Sequence, residues 1–330
     1  MRILFIVAAA ALATAPAALA DCSPLKLVTS VDLESADDGR VDYVPVQLGG
    51  QPAKLVLDTG AANTMIWPDA AARLGLKSHT GHSIVYDVNG GESDQEIITT
   101  LSIGRMTGHD IHLAVAPHRL GSYDPGASGL LGPDILQNYD ISIDFGTGKL
   151  DILSSDHCEG KVVYWPERPI AIIPFDMPDG WHIVLPVSLD GVEVTATLDT
   201  GAENSTLLDT IARDKFGIVT GAPDTPKIGN VNGDESTAAY EHKFGTLSLE
   251  GLEVRNPAVH IIPDRLSKKI DTRPQIGTHL ATKNPVDDEQ MLLGMNVLKH
   301  LHVYIAYKEK KLFITPAGTP EAGGAPQGKP

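Results

Sequence analysis

Two aspartates carry the first chemical signal. Asp58 lies in Leu57-Asp58-Thr59-Gly60-Ala61-Ala62-Asn63, and Asp199 in Leu198-Asp199-Thr200-Gly201-Ala202-Glu203-Asn204, identical at six of seven positions. Asp58 ends the apolar run Leu55-Val56-Leu57, where a carboxylate is costly to bury unless hydrogen bonds or a chemical task support it. One Asp-Thr-Gly tripeptide is a weak signal, since roughly one chain of this length in twenty holds it by chance at ordinary residue frequencies. Two copies inside a longer match are a strong one. Carboxyl groups held about 3 Å apart cannot both ionise, so one keeps a proton while the other acts as a base. Such a pair can deprotonate a water and supply a proton to the carbonyl oxygen, and later to the amine, of an amide. It titrates as one unit.

The elements that must position the two aspartates repeat as well. The 141-residue offset holds upstream, where Val44-Pro45-Val46 aligns with Leu185-Pro186-Val187 and Gly49-Gly50 with Asp190-Gly191. Downstream, Val88-Asn89-Gly90 returns as Val231-Asn232-Gly233 at an offset of 143. Leu130-Leu131-Gly132 returns as Leu292-Leu293-Gly294, and Lys149-Leu150 as Lys311-Leu312, both at 162. The drift places an insertion in the second half, within the polar stretch 265–290. Segments 44–48 and 53–57 around Gly49-Gly50 read as a hairpin, and 183–189 with 192–198 repeat it. Asn89-Gly90 and Asn232-Gly233 mark further hairpin tips. Short helices are expected only at 68–74, 133–138, 209–216 and 295–300. The pattern predicts an all-β protein of two homologous, six-stranded-type β-barrel lobes in one chain, with short helices. The expected organisation is a first lobe over 21–154, a linker over 155–170, a second lobe over 171–315 and a disordered Gly/Ala/Pro-rich tail over 316–330.

Asp-Thr-Gly-Ala followed by an apolar-apolar-Gly segment and a short helix resembles the aspartic peptidases, the retropepsin-like branch in particular, with bacterial periplasmic members most similar. The resemblance spans nearly all of both halves. It implies the acid protease fold and an endopeptidase that joins both halves in one chain, as pepsins do. Asp58 and Asp199 would be the catalytic dyad. Thr59 and Thr200 would link the active-site loops through their hydroxyls, and Gly60 and Gly201 would permit the close approach. Val88-Asn89-Gly90 and Val231-Asn232-Gly233 would tip flaps over the substrate, and Tyr86 stands near a flap tyrosine's place. Leu130-Leu131-Gly132 and Leu292-Leu293-Gly294 would brace the loops from behind. The retroviral pattern has Arg after the apolar-apolar-Gly, where this chain has Pro133 and Met295; the next position stays acidic or amide, as Asp134 and Asn296. A peptide-binding protein of the same fold without turnover is the alternative, and its expected mark, an altered Asp, is missing. A glycosidase would need sugar-stacking aromatics near its carboxylates, and none of the three Trp lies in the repeated motifs.

The remaining features bound the setting. Arg2, the apolar run 3–13 and Ala18-Leu19-Ala20 read as an export signal over 1–20 that is cleaved before Asp21. Asp21 directly before Cys22 spoils a lipid-anchor signal. No later stretch is apolar enough to span a bilayer, so an exported, periplasmic or secreted protein without stable membrane insertion is expected. In an oxidising compartment Cys22 and Cys158 can pair. A net charge of −16 argues against nucleic acid and anionic membranes as partners. The expected partner is a peptide or protein substrate, bound by a monomer without a cofactor. No metal is expected: His300-x-His302 and His109-x-x-His112 have usable spacing, but no Cys or acidic cluster of the zinc type adjoins them. Asp144-Phe145-Gly146 lacks the companion motifs of a kinase and reads as a strand and turn. Gly126-x-x-Gly129-x-x-Gly132 is followed by no Lys-Ser/Thr and is not a phosphate cradle. The glycosylation sequon Asn204-Ser205-Thr206 falls within the second aspartate's loop and is expected to be unused.

Overall fold

The computed structural model describes residues 22–36, 39–86, 91–119, 123–165, 170–231, 237–264 and 290–318. The expected export signal, the expected flap tips 88–90 and 232–233, and most of the expected insertion and tail lie outside these residues.

Each half builds one strongly bent sheet around the same nucleus. Strand Gln51–Leu57 runs parallel to Gly129–Leu131, and Met65–Ile66 lies antiparallel on the other side of Gly129–Leu131. In the second half Val192–Leu198 runs parallel to Met291–Leu293, which in turn pairs antiparallel with Thr206–Leu208. The registers repeat residue for residue. Leu57 faces Leu131 as Leu198 faces Leu293, and Met65 faces Leu130 as Thr206 faces Leu292. The sequence offsets of 141 and 162 are therefore the offsets of one hydrogen-bonded scaffold. Leu55, Val56 and Leu57 are fully buried, and Ala196, Thr197 and Leu198 nearly so. Leu55-Val56-Leu57 reads as an unbroken apolar run because it is covered on both faces, while the second half intersperses Thr195 and Thr197 among Val194, Ala196 and Leu198.

The hairpins that lead into these strands follow turn chemistry. Gly49 and Gly50 both have positive φ, as do Asp190 and Gly191. Tight two-residue turns of this hand need that geometry at both positions, and Asp tolerates it better than most side chains. In the first half, Asp42–Leu48 also pairs with Glu92–Ile103 through Val46 and Ile103, which curls the sheet toward a barrel.

A third sheet joins the halves, and the picture of two separate lobes did not foresee it. Its six strands run in the order Leu27–Asp32, Lys149–Leu153, Asp140–Asp144, Leu301–Ala306, Lys311–Pro316, Ala171–Pro174. At its centre Ile141 faces Ile305 and Ile143 faces Val303. Because 141 corresponds to 303 and 143 to 305, each half offers the same patch to the other, the signature of a twofold axis. All six residues of Leu301–Ala306 are buried. The polar ones are satisfied: His302 meets the Ser142 hydroxyl at 2.8 Å, and the Tyr304 hydroxyl donates to Asp140 at 3.0 Å. Trp165 stacks on His302 and closes this face.

The segment around Cys158 is tied to this sheet rather than swinging free. Cys22 and Cys158 form a disulfide spanning 136 residues, which fastens the chain just before edge strand Leu27–Asp32. Among the described residues no helix is long and apolar enough to cross a membrane. Replacing both cysteines by alanine is expected to cost about 2–5 kcal/mol through the unfolded state's regained freedom. Thermal melts of the double variant and the oxidised wild type check this, and equal midpoints would contradict it.

Candidate active site

The two aspartates meet where the halves join. The Asp58 backbone N–H donates to the Leu131 carbonyl at 3.0 Å, and that of Asp199 donates to Leu293 at 3.0 Å. Each carboxyl then curls back over its own loop. Asp58 accepts from the Gly60 N–H at 3.0 Å, and Asp199 accepts from Gly201 at 2.9 Å and Ala202 at 3.0 Å.

Thr59 and Thr200 lock the loops to each other. The Thr59 hydroxyl donates to the Leu198 carbonyl and the Thr200 hydroxyl to that of Leu57, each at 2.7 Å. In return each hydroxyl accepts the other threonine's N–H at 3.1 Å. Four hydrogen bonds thus cross the seam, all buried, where an unpaired partner is expensive. The glycines set the approach. A Cβ on Gly60 would stand 2.3 Å from the Asp199 carboxyl carbon, and one on Gly201 would stand 2.4 Å from that of Asp58. No other residue type fits either position.

Behind the loops lies a second repeated device. In the first half Asp134 accepts from the Thr64 N–H at 2.9 Å and hydroxyl at 2.7 Å, while that hydroxyl accepts from the Gly132 N–H at 3.0 Å. In the second half Asn296 accepts from the Ser205 N–H and hydroxyl, each at 2.8 Å, and the hydroxyl accepts from Gly294 at 3.0 Å. Leu130-Leu131-Gly132 and Leu292-Leu293-Gly294 therefore stand behind the aspartate loops, and the hydroxyls of Thr64 and Ser205 complete the brace. Pro133 and Met295, in the place of the retroviral Arg, open the helical turns Pro133–Leu136 and Met295–Leu298. Ser205 is fully buried.

Electrostatics follow from burial. Asp58 is 7% exposed, and desolvation together with the neighbouring Asp199 charge pushes its carboxyl up to about 8. Burial also raises Asp199, against the pull of the Gly201 and Ala202 N–H groups and of His182. Each carboxyl lies against the other half's glycine, and the Asp199 charge raises Asp58 while Asp58 pulls Asp199 down.

Two further side chains reach these loops. The Tyr123 hydroxyl donates to the Gly201 carbonyl at 3.2 Å, and its ring stacks on Trp67. Burial first, then the charges of Asp58 and Asp199, push its phenol well above the ordinary range. His182 meets the Gly60 carbonyl at 2.8 Å through Nε2 and Asp179 through Nδ1. Sequence reasoning missed both, since neither belongs to a repeated motif. Thr64 and Ser205 were legible in principle, as hydroxyl residues 141 positions apart.

The residues expected to form flaps are only partly described. Val88, Asn89, Gly90, Asn232 and Gly233 lie outside the described residues. Their flanking strands are present, Ser78–Tyr86 against Glu92–Ile103 and Lys227–Asn230 against Ala238–Lys243. Val231 donates its N–H to the Thr237 carbonyl at 2.8 Å, and Tyr86 is 43% exposed on its strand. The histidine pairs are turned to separate partners: His112 to Glu96, His109 to Thr100 and His302 to Ser142. Among the described residues no cluster of three or more His, Cys, Asp or Glu is arranged to hold a metal ion.

Comparisons with known proteins agree with this geometry. A family model described as "Aspartyl protease" matches residues 44–135 and 185–297, one segment in each half. No curated protein sequence matches the chain significantly. Among solved structures, the aspartic proteinase from Irpex lacteus is similar, with a TM-score of 0.51 and 13% sequence identity over 90% of this chain and 100% of that one.

Two outcomes are expected. Thr200→Val strands the Leu57 carbonyl and the Thr59 N–H in the seam, and should cost about 1–3 kcal/mol for each group left unpaired, measured by denaturant unfolding. The raised Asp58 carboxyl favours folding fully below about pH 4, where the unfolded chain is also protonated, and that contribution is gone once pH passes about 8. Wild-type stability should therefore fall relative to Asp58→Asn between these values. A constant difference in melting temperature across that window would contradict a buried, shared proton.

Proposed function

Since the chain belongs to the aspartyl protease family, we propose that it is an aspartic endopeptidase whose water is activated between Asp58 and Asp199. The observation that carries this reading is the approach of the two carboxyls, one from each half: each lies against the other half's glycine, in a site where burial raises both. The ionised carboxyl takes a proton from the water while the protonated one supplies its proton to the peptide carbonyl oxygen. The water oxygen bonds to the carbonyl carbon to give a gem-diol; as it collapses the C–N bond breaks, the amine takes a proton from the pair, and one gem-diol hydroxyl returns its proton to the pair as the carboxyl product forms. The pair ends with one proton, as it began, ready for another turnover.

Thr59, Gly60, Thr200 and Gly201 hold the pair in register, and the two Leu-Leu-Gly segments support the loops from behind. The substrate is a peptide or protein segment in extended form, bound by main-chain hydrogen bonds with pockets for its side chains. Val88-Asn89-Gly90 and Val231-Asn232-Gly233 close over it. One chain supplies both carboxyls, so a monomer suffices. The Cys22–Cys158 disulfide suits an oxidising compartment, and the protein acts in the periplasm or outside the cell.

Digestion of an unbiased peptide library from acid to neutral pH tests this, with Asp58→Asn and Asp199→Asn alongside. Cleavage by the wild type that disappears in either variant is the expected result. No cleavage by demonstrably folded wild-type protein at any pH would refute it.

A further inference from the structure

His182 holds both ring nitrogens against oxygen acceptors. Nε2 lies 2.8 Å from the Gly60 carbonyl, and Nδ1 is bonded to the Asp179 carboxyl. A carbonyl and a carboxylate can only accept, so each nitrogen must bring a hydrogen, and a ring with two N–H groups is the cation. The turn that carries the ring is built for this. Asp179 accepts the backbone N–H groups of Trp181 and His182, both at 2.9 Å, which fixes the carboxylate under the imidazole. Burial raises Asp179, yet the His182 ring and those two N–H groups outweigh it and hold the carboxyl at about 2. It is therefore an anion at neutral pH.

The ring also crosses the seam. His182 belongs to the second half, while Gly60 belongs to the first half's aspartate loop. The position 141 residues earlier is Val41, so the duplication supplies no mirror image of this contact. A charge placed on one side only breaks the symmetry of two otherwise equivalent carboxyls. Among the described residues, Asp179 from its own turn and Asp199 from the end of strand Val192–Leu198 are charged groups that feel the ring's charge. Tyr123 reaches the opposite loop at the Gly201 carbonyl, but its hydroxyl is a neutral donor.

We propose that His182 is a positioning residue, doubly protonated between Asp179 and the Gly60 carbonyl, which ties the two aspartate loops together and biases the Asp58–Asp199 pair toward its singly ionised form. The claim deepens the peptidase reading and rests on it for its meaning in catalysis, but its test needs no turnover. The intact protein is labelled with ring-15N histidine and carboxyl-13C aspartate, and His182→Gln identifies the ring signals. At pH 7 both His182 nitrogens should be protonated, and the ring's titration should move to lower pH in Asp179→Asn. In His182→Gln the first ionisation of the Asp58–Asp199 pair should move to higher pH by about one unit, the lower end of what an adjacent opposite charge provides. In Tyr123→Phe it should stay within a few tenths of a unit. A single protonated nitrogen in the wild type at pH 7, or an unmoved carboxyl titration in folded His182→Gln, overturns the proposal. If His182→Gln does not fold, the wild-type ring spectrum and Asp179→Asn still decide it. Failure of the peptidase reading would appear separately, as folded wild-type protein that cleaves nothing.

Discussion

Two carboxyl groups, Asp58 and Asp199, held out of water where the halves of the chain meet, set the terms for the rest of the structure. Left to themselves they would separate, since a buried carboxylate is poorly solvated and two repel. The protein opposes this with hydrogen bonds that each half can make only to the other. The Thr59 and Thr200 hydroxyls each reach the carbonyl just before the opposite aspartate, at 2.7 Å. Neither loop is complete alone.

Those loops stay in place because the strands under them cannot shift. Each aspartate follows a run buried on both faces, clamped alongside a Leu-Leu-Gly strand, and a one-residue slip would invert every side chain of that run. The Thr64–Asp134 and Ser205–Asn296 contacts brace the same strands from behind. The shared sheet then fixes the halves relative to each other, with Ile141 and Ile143 facing their own counterparts in exchanged order. Symmetry sets the approach of the carboxyls, and departures from it set their chemistry. Asp134 is replaced by Asn296, and Val41 by His182, whose ring reaches across to the other half's aspartate loop.

How much of this a reader of the sequence could see depended on whether the feature was duplicated. Asp58, Asp199, their threonines and glycines, and the Leu-Leu-Gly segments stood out because each occurs twice at consistent offsets. The hairpins were legible from Gly49-Gly50 and Asp190-Gly191, whose backbone demands are local. The central sheet was not. Its middle pair joins Asp140–Asp144 to Leu301–Ala306 across about 160 residues, and no local pattern announces a pairing between copies. Tyr123 and His182 were hidden for a related reason: each acts on the other half's loop, so nothing near it in sequence explains it. The flap tips, legible as Asn-Gly pairs, fall outside the described residues.

The account is tested most directly by kcat/KM for one cleaved peptide across a wide pH range. A shared proton predicts a bell, with the falling limb near pH 8, where the buried pair gives up its last proton and no acid remains for the carbonyl oxygen. A rate that stays level or climbs from pH 7 to pH 10, in protein that remains folded, would contradict a catalytic pair held in its singly protonated form.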